Sequence, residues 1–145
     1  MAITQAIANA FKKQLLEGDA NFASGGDKFK LALYTSSATL NSATTSFTTT
    51  NEVGDSGTYA SGGGDLTGQN TSIASGVAIV DFADLSFTGV TLTARGALIY
   101  NTSSAVTNAA VAVLDFGADK TATSGTFTVQ FPAFTTAAAI LRISG

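Results

Sequence analysis

Two pairs of carboxylates are the strongest candidates for acid–base or metal chemistry in this chain: Asp81 with Asp84, and Asp115 with Asp119. A glycosidase needs two carboxyl groups facing each other across the bond it cleaves. Calcium needs about six to eight convergent oxygen ligands, and the chain has no Asp-x-Asp-x-Asp run. Each pair begins with an apolar-Asp-Phe triplet at the end of a predicted strand. There, aspartate side chains commonly accept hydrogen bonds from nearby backbone N–H groups. We therefore expect turn capping, no metal site and no catalytic carboxylate.

The chain has no histidine and no cysteine. It therefore lacks the commonest general base and the commonest neutral metal ligand, and it has neither disulfides nor thiolate metal sites. A serine–lysine pair is the remaining nucleophilic arrangement to consider. Nothing in the sequence marks a lysine as buried, so we expect a solvated, non-catalytic role for all five: Lys12, Lys13, Lys28, Lys30 and Lys120. The sequence predicts a non-enzymatic protein without a cofactor.

Two further features have candidate roles other than catalysis. The glycine run at residues 62–64 lacks the Gly-Lys-Ser/Thr motif and the strand–loop–helix context of a phosphate-binding loop, so we interpret it as a flexible turn. Arg95 and Arg142 stand in otherwise uncharged predicted strands. Each could pair with an aspartate on an adjacent strand, extend its charged end to solvent, or pair across a subunit interface.

Composition limits the class of protein and its partners. At 145 residues the chain has the length of one domain and can bury a substantial core. Its net charge of −3 argues against a nucleic-acid partner, which normally requires a clustered basic face. No apolar stretch reaches the length of about 18 residues that a transmembrane helix needs. Polar residues interrupt the N-terminal segment, so we expect no signal peptide and synthesis in the cytoplasm.

The low charge content favours assembly. Only 12% of the residues are charged, about half of the usual ~25%. Charge keeps protein surfaces apart, so a neutral surface rich in Ala, Ser, Thr and Gly suits a protein covered by copies of itself or by partners. The alternative is a monomer with an unusually neutral surface.

The N-terminal segment has the spacing of an amphipathic helix over residues 3–17, with Gly18 placed to form a left-handed C-cap. Such a helix could dock on its own sheet or act as an arm that docks on a neighbouring subunit. The residues of its apolar stripe are therefore candidate assembly contacts: Ile3, Ile7, Phe11 and Leu15.

After Gly18 the apolar period changes from four residues to two, which is typical of strands. Strands are predicted over residues 28–35, 77–82, 85–88, 90–100, 109–116, 126–131 and 137–143, with a long Ser/Thr-rich surface loop at 36–51. We predict a mainly β protein: a helical arm at 1–18 followed by a single β-sandwich at 19–145, of jelly-roll or immunoglobulin-like topology. The expected core residues are Phe29, Leu31, Leu33, Ile79, Leu98, Val111, Val113, Phe127, Val129, Phe131, Leu141 and Ile143.

Five segments, at residues 11–19, 29–35, 48–53, 93–101 and 110–117, together resemble a family of small virion structural proteins of tailed bacteriophages. The similarity extends over most of the chain from Phe11 to Ile143. It is weakest at residues 41–47 and 54–75. Members of that family are described as head or tail-fibre proteins, and the resemblance brings no catalytic residues.

The resemblance implies a place in a virion, and we favour a capsid decoration (cement) protein on the head surface. Such proteins are small, β-rich and often trimeric, so the expected partners are copies of the chain itself and the major capsid protein, with no nucleic acid and no membrane. Many weak repeated contacts would add up on a capsid lattice. The alternative is a tail or fibre component that contacts host-surface glycans, for which an exposed loop aromatic such as Tyr59 would be suited.

Overall fold

The computed structural model describes residues 2–132 and 139–144. Within that part of the chain, one helix and eight strands follow each other in the order β1 (Ala6–Ile7), α1 (Asn9–Glu17), β2 (Phe29–Tyr34), β3 (Gly64–Asp65), β4 (Asn70–Ala74), β5 (Val77–Asp81), β6 (Leu85–Asn101), β7 (Ala109–Val129) and β8 (Leu141–Ile143). The predicted loop at 36–51 contains no helix or named strand and touches its neighbours through isolated bridges.

The strands form two antiparallel sheets. The larger sheet has the order β1-β7-β6-β2-β3, and the smaller has the order β4-β5-β8. Two sheets with one short helix confirm the predicted mainly β, sandwich-like fold. The alternation of apolar residues does not show which strands pair with each other, so this order of strands could not be predicted from the sequence.

A long hairpin of β6 and β7 dominates the larger sheet. The sequence predicts four short strands here, whereas the structure has two strands of 17 and 21 residues. The residues interpreted as turns are irregularities within the pairing. The register shifts where Gly89 and Gly117 adopt positive φ, and again near Ser124 with φ 44°. Such bulges bend a strand without ending it, so the hairpin remains continuous.

The helix is shorter than the sequence predicts. It begins at Asn9, whereas residues 3–7 are extended: Ile3 forms a parallel bridge with Leu40, and β1 pairs with β7. A spacing of four residues fits a helix face, but it is also an even number and fits one face of a strand. The predicted end is confirmed, because Gly18 has φ 75° and caps the helix.

Residues of the N-terminal segment pack on the chain's own sheets. Ile3, Ala8 and Phe11 belong to the same buried cluster as the strand residues, and the N–H of Ala8 donates to the carbonyl of Val111 at 2.9 Å. Ile7 and Leu15 are only partly covered. The four residues of the predicted stripe therefore do not share one helix face.

The core is centred on aromatic rings at one end and on aliphatic strand residues at the other. Phe22 stacks on Phe29 with ring centres 4.4 Å apart, and Phe82 meets both rings edge-on. Ten of the twelve predicted core residues are buried. Phe131 is half-buried, and Ile143 is wrongly predicted, with 60% of its surface exposed. Ile143 lies on the sheet's edge strand, at a position that neither α1 nor the larger sheet covers.

Candidate interaction surface

An open apolar groove of about 740 Å³ lies between α1 and the three-stranded sheet. Its lining is almost entirely hydrocarbon: Phe11, Leu15, Leu16 and Phe22 on one side, and residues of β4, β5 and β8 on the other. Phe11, Phe22 and Leu141 are buried and belong to the core cluster. The groove is therefore continuous with the hydrophobic core.

Strand register explains the sheet wall of the groove. Ile73 pairs with Ala78, which pairs with Ile143, so these three side chains point to the same face of the small sheet. Leu141 lies two residues from Ile143 and points the same way, yet it is buried. Ile73 and Ile143 remain 76% and 60% exposed. The apolar face of this sheet thus extends beyond the part that the other described residues cover.

The helical wall of the groove is also incompletely covered. Leu16 is 92% exposed near the end of α1, and Ile7 is partly exposed on β1. Among the described residues, five large apolar side chains are exposed, and four of them (Ile7, Leu16, Ile73 and Ile143) border this groove. Scattered exposed apolar residues are ordinary, but a contiguous group marks a binding surface.

The charge beside the groove is cationic. Lys12 and Arg142 are the charged residues of the lining, which contains no aspartate or glutamate. Arg142 alternates with Leu141 and Ile143 on β8, so its side chain points to the other face of the small sheet and Lys12 supplies the charge on the groove side. The ammonium group of Lys12 lies 3.3 Å from the amide oxygen of Asn9. Because the chain as a whole is acidic, with a net charge of −3, this local positive charge favours an apolar partner that carries a carboxylate.

An open sheet edge runs beside the groove. All five residues of β4 are exposed, and β5 is the one strand that pairs with β4 in the described part of the chain. Ser75 and Gly76 both have positive φ, as in a two-residue type I′ turn, so Ala74 and Val77 form a hydrogen-bonded pair. The alternation then points the backbone N–H and C=O groups of Thr71 and Ile73 away from β5.

The four candidate carboxylates have different surroundings. Asp115 accepts the N–H of Gly117, two residues further on, at 2.9 Å, which confirms local backbone capping for this residue. Asp84 accepts the N–H of Phe131 at 2.9 Å, which is a long-range hydrogen bond and not the predicted turn cap. Asp81 is half-buried at the end of β5, with an Oδ1 that has no hydrogen-bond partner in the described structure, and Asp119 is exposed. No group of three or more Asp and Glu side chains within residues 2–132 and 139–144 is arranged to hold a metal ion.

Arg95 has a partner within the chain. Its Nε lies 3.2 Å from Oδ1 of Asp115 across the β6–β7 pairing. The hydrogen bond from Gly117, together with Arg95, holds the pKa of Asp115 below its usual range. Arg142 lies on β8. Of the lysines, Lys30 is partly covered, with its Nζ 3.8 Å from Asp65, and the other four are exposed as predicted.

A buried tyrosine–glutamate network is the polar feature that sequence reasoning missed. Tyr59 is 1% exposed, so the expectation of an exposed glycan-binding aromatic at this position is wrong. Its hydroxyl accepts the N–H of Leu33 at 2.9 Å and donates to Glu52 at 2.8 Å, and its ring meets Phe87 edge-on. Glu52 also accepts hydrogen bonds from Ser61 Oγ and the N–H of Gly62. The network fastens the 51–64 segment to β2.

The glycine run at residues 62–64 contributes to the same attachment of the 51–64 segment to β2. Gly62 and Gly63 have φ of 97° and 82°, and a Cβ on Gly63 would collide with the carbonyl oxygen of Leu31. The hydroxyl of Tyr100 donates to the carbonyl of Gly62 at 2.6 Å. These glycines allow a close approach of the segment to β2, so the run is a packed turn and not the flexible turn that the sequence suggests.

No protein-family model, no curated protein and no solved structure matches this chain. Within the part of the chain that the structure describes, no helix combines the length and the apolar character that crossing a membrane requires. The groove and its neighbouring sheet edge are therefore the features on which a functional proposal can rest.

Proposed function

We propose that this chain is a non-enzymatic structural protein that assembles through the groove face, as a decoration protein on the surface of a bacteriophage head. One observation carries the assembly part of the proposal. Four of the five exposed large apolar side chains in the described structure border a single groove that is continuous with the core. Burial by a neighbouring subunit is the simplest way to remove that surface from water.

The size of the effect is sufficient for association. Burying one fully exposed Leu or Ile side chain contributes about 1.5–3 kcal/mol. Leu16 is almost fully exposed, Ile73 is 76% exposed, and Ile143 is more than half exposed. Contacts of this size are weak one at a time, but on a lattice each copy would be held by several neighbours at once. This arrangement suits a decoration protein.

The sequence resemblance to small virion proteins of tailed phages supports a place in a phage particle. The low charge content supports a surface that is covered by copies of the chain or by partners. The expected state is a homo-oligomer, most simply a trimer, bound to the major capsid protein on the outside of the head. The alternative, a tail or fibre component that contacts host-surface glycans, no longer has Tyr59 as a candidate contact, because that side chain is buried.

Counting the copies of this chain in purified virions tests the proposal. A decoration protein should be present at a copy number comparable to that of the major capsid protein, whereas a fibre component should be present at a small fraction of it. Ile73→Asp should remove the protein from heads. Ala74→Asp is the matched control, because Ala74 is exposed on the same strand but does not line the groove. Absence of the intact chain from heads would refute the decoration role.

A further inference from the structure

The fifth exposed apolar side chain points to an occupant for the groove. Val106 is 50% exposed, and it is the one exposed large apolar residue of the described chain that does not line the groove. It lies in the connection between β6 and β7, at residues 102–108, which we call the Val106 loop. The described part of the chain thus presents this apolar groove and, separately, the exposed side chain of Val106 on a loop.

Hydrogen bonds hold the Val106 loop in place. The N–H of Lys28 donates to Ser103 Oγ at 2.8 Å, and Ser104 Oγ donates to the carbonyl of Val106 at 2.5 Å. The N–H of Ala105 donates to Oδ1 of Asp19 at 3.0 Å. A loop that is already ordered loses little conformational entropy on binding. Val106 is therefore suited to insert into a preformed groove.

The charges beside the two features are complementary. The hydrogen bond to Ala105 places the carboxylate of Asp19 against the Val106 loop. On the groove side the lining presents the ammonium group of Lys12 and no acid. Two copies of an acidic chain repel each other overall. A local pairing of Asp19 with Lys12 would offset part of that repulsion and would fix the register of the contact.

We infer that the Val106 loop of one copy enters the groove of a second copy, with Asp19 of the first copy facing Lys12 of the second. This inference rests on the proposed function and names the partner at the groove. The two contacting surfaces are different, so the contact is heterologous. Each copy in such a pair keeps one free groove or one free loop, and the contact therefore continues into a closed ring, such as a trimer, or into a filament.

A mixing experiment tests the inference. Val106→Asp damages the loop and leaves the groove intact, and Ile73→Asp damages the groove and leaves the loop intact. Both residues are exposed, so both variants should fold. Each variant alone should sediment as a monomer. An equimolar mixture should form a one-to-one dimer, because the intact loop of the Ile73→Asp chain fits the intact groove of the Val106→Asp chain. Thr107→Ser and Ala74→Asp are the matched controls and should assemble like the unaltered chain.

The outcomes separate the inference from the proposed function. If Val106→Asp assembles like the unaltered chain while Ile73→Asp is monomeric, the groove is an assembly surface with a different occupant, and the inference is refuted. A mixture that stays monomeric also refutes it. If Ile73→Asp itself assembles normally, the groove is not the assembly surface and the proposed function fails as well.

The charge pair has its own test. Asp19→Asn keeps an oxygen that can accept the Ala105 N–H but removes the negative charge. The association constant should fall a few-fold at low salt and approach that of the unaltered chain at high salt, as expected for an exposed ion pair. An effect of equal size at every salt concentration would contradict the pairing with Lys12.

Discussion

The hydroxyl of Tyr59 donates a hydrogen bond of 2.8 Å to the carboxylate of Glu52, in the interior next to β2. The same hydroxyl accepts the N–H of Leu33. One side chain thus satisfies a strand donor and a carboxylate, and it ties a segment with little regular structure to the centre of the larger sheet. The arrangement makes the stability of the fold dependent on a protonated tyrosine.

Alkaline pH should therefore unfold the protein. Burial, followed by the nearby charge of Glu52, raises the pKa of Tyr100 to about 12. Burial also raises the pKa values of Tyr34 and Tyr59. In the unfolded chain each tyrosine titrates near its ordinary pKa of about 10. Above that pH the unfolded state releases protons that the folded state retains, so the free energy of unfolding should fall as the pH rises from about 10 upward.

The measurement is tyrosinate absorbance recorded together with circular dichroism during an alkaline titration. All three tyrosines of the chain should ionise together with loss of the fold. Tyr59→Phe should lower stability at neutral pH by about 1–3 kcal/mol, because Glu52 and the Leu33 N–H lose a partner. It should also make the alkaline decline shallower. Independent titration of a tyrosine near pH 10 in the folded protein would contradict the burial described here.

The aromatic cluster should dominate core stability. Phe29 is 1% exposed and stacks on Phe22, so Phe29→Ala should cost about 3–5 kcal/mol of unfolding free energy. Phe131 is half-buried at the edge of the same cluster, and Phe131→Ala should cost clearly less. Chemical denaturation of both variants gives the comparison. If both variants lost the same unfolding free energy, the stacking of Phe29 on Phe22 would not contribute more to stability than the half-buried ring of Phe131.

Gly63 should tolerate no side chain. Its φ of 82° is unfavourable for other residues, and a Cβ would meet the backbone of β2. The left-handed conformation alone costs about 1–2 kcal/mol, and the collision adds to it, so Gly63→Ala should destabilise by more than about 2 kcal/mol. Gly54→Ala is the control, because a Cβ there meets nothing within 4 Å. A Gly63→Ala variant as stable as that control would refute the close approach.

The parts of the fold that follow from local pattern were predictable, and the parts that follow from pairing were not. Alternation of apolar residues predicts β2 and β5 almost to the residue. It does not show that β7 continues through Gly117, because a glycine with positive φ occurs both in turns and in bulges. The spacing of Ile3 and Ile7 fits a helix and a strand equally well. Only the partner, Leu40 for Ile3, decides between them.

For the groove too, local sequence pattern predicts some of the residues, and others depend on strand pairing. The sequence identifies Phe11 and Leu15 as apolar contact residues, and both line the groove. It cannot show that Ile73 and Ile143 share a face, because that depends on the register of β4, β5 and β8. Tyr59 looks like a loop aromatic in the sequence. Its burial depends on Glu52 and Leu33, which lie elsewhere in the sequence and have no recognisable motif.

Deletion of residues 2–17 should unfold or aggregate the chain. The deleted part supplies β1, which pairs with β7, and the buried residues Ile3 and Phe11. Its removal would uncover a strand edge and part of the core. Leu16→Asp in the same helix is the control, and it should leave the fold intact, since Leu16 is 92% exposed. Thermal unfolding of both proteins checks this. A truncated chain that folds and remains monodisperse would show that the segment is a dispensable arm.

Sedimentation equilibrium of the unaltered chain, beside the double variant Leu16→Asp/Ile73→Asp, measures whether the groove is an assembly surface. Both side chains are exposed and border the groove, so the double variant should fold while losing the apolar contact. The unaltered chain should sediment as a homo-oligomer, most simply a trimer, and the double variant should have the mass of one chain. An unaltered chain that stays monomeric at high concentration, or a double variant that keeps the oligomeric mass, would contradict the assignment of the groove as an assembly surface.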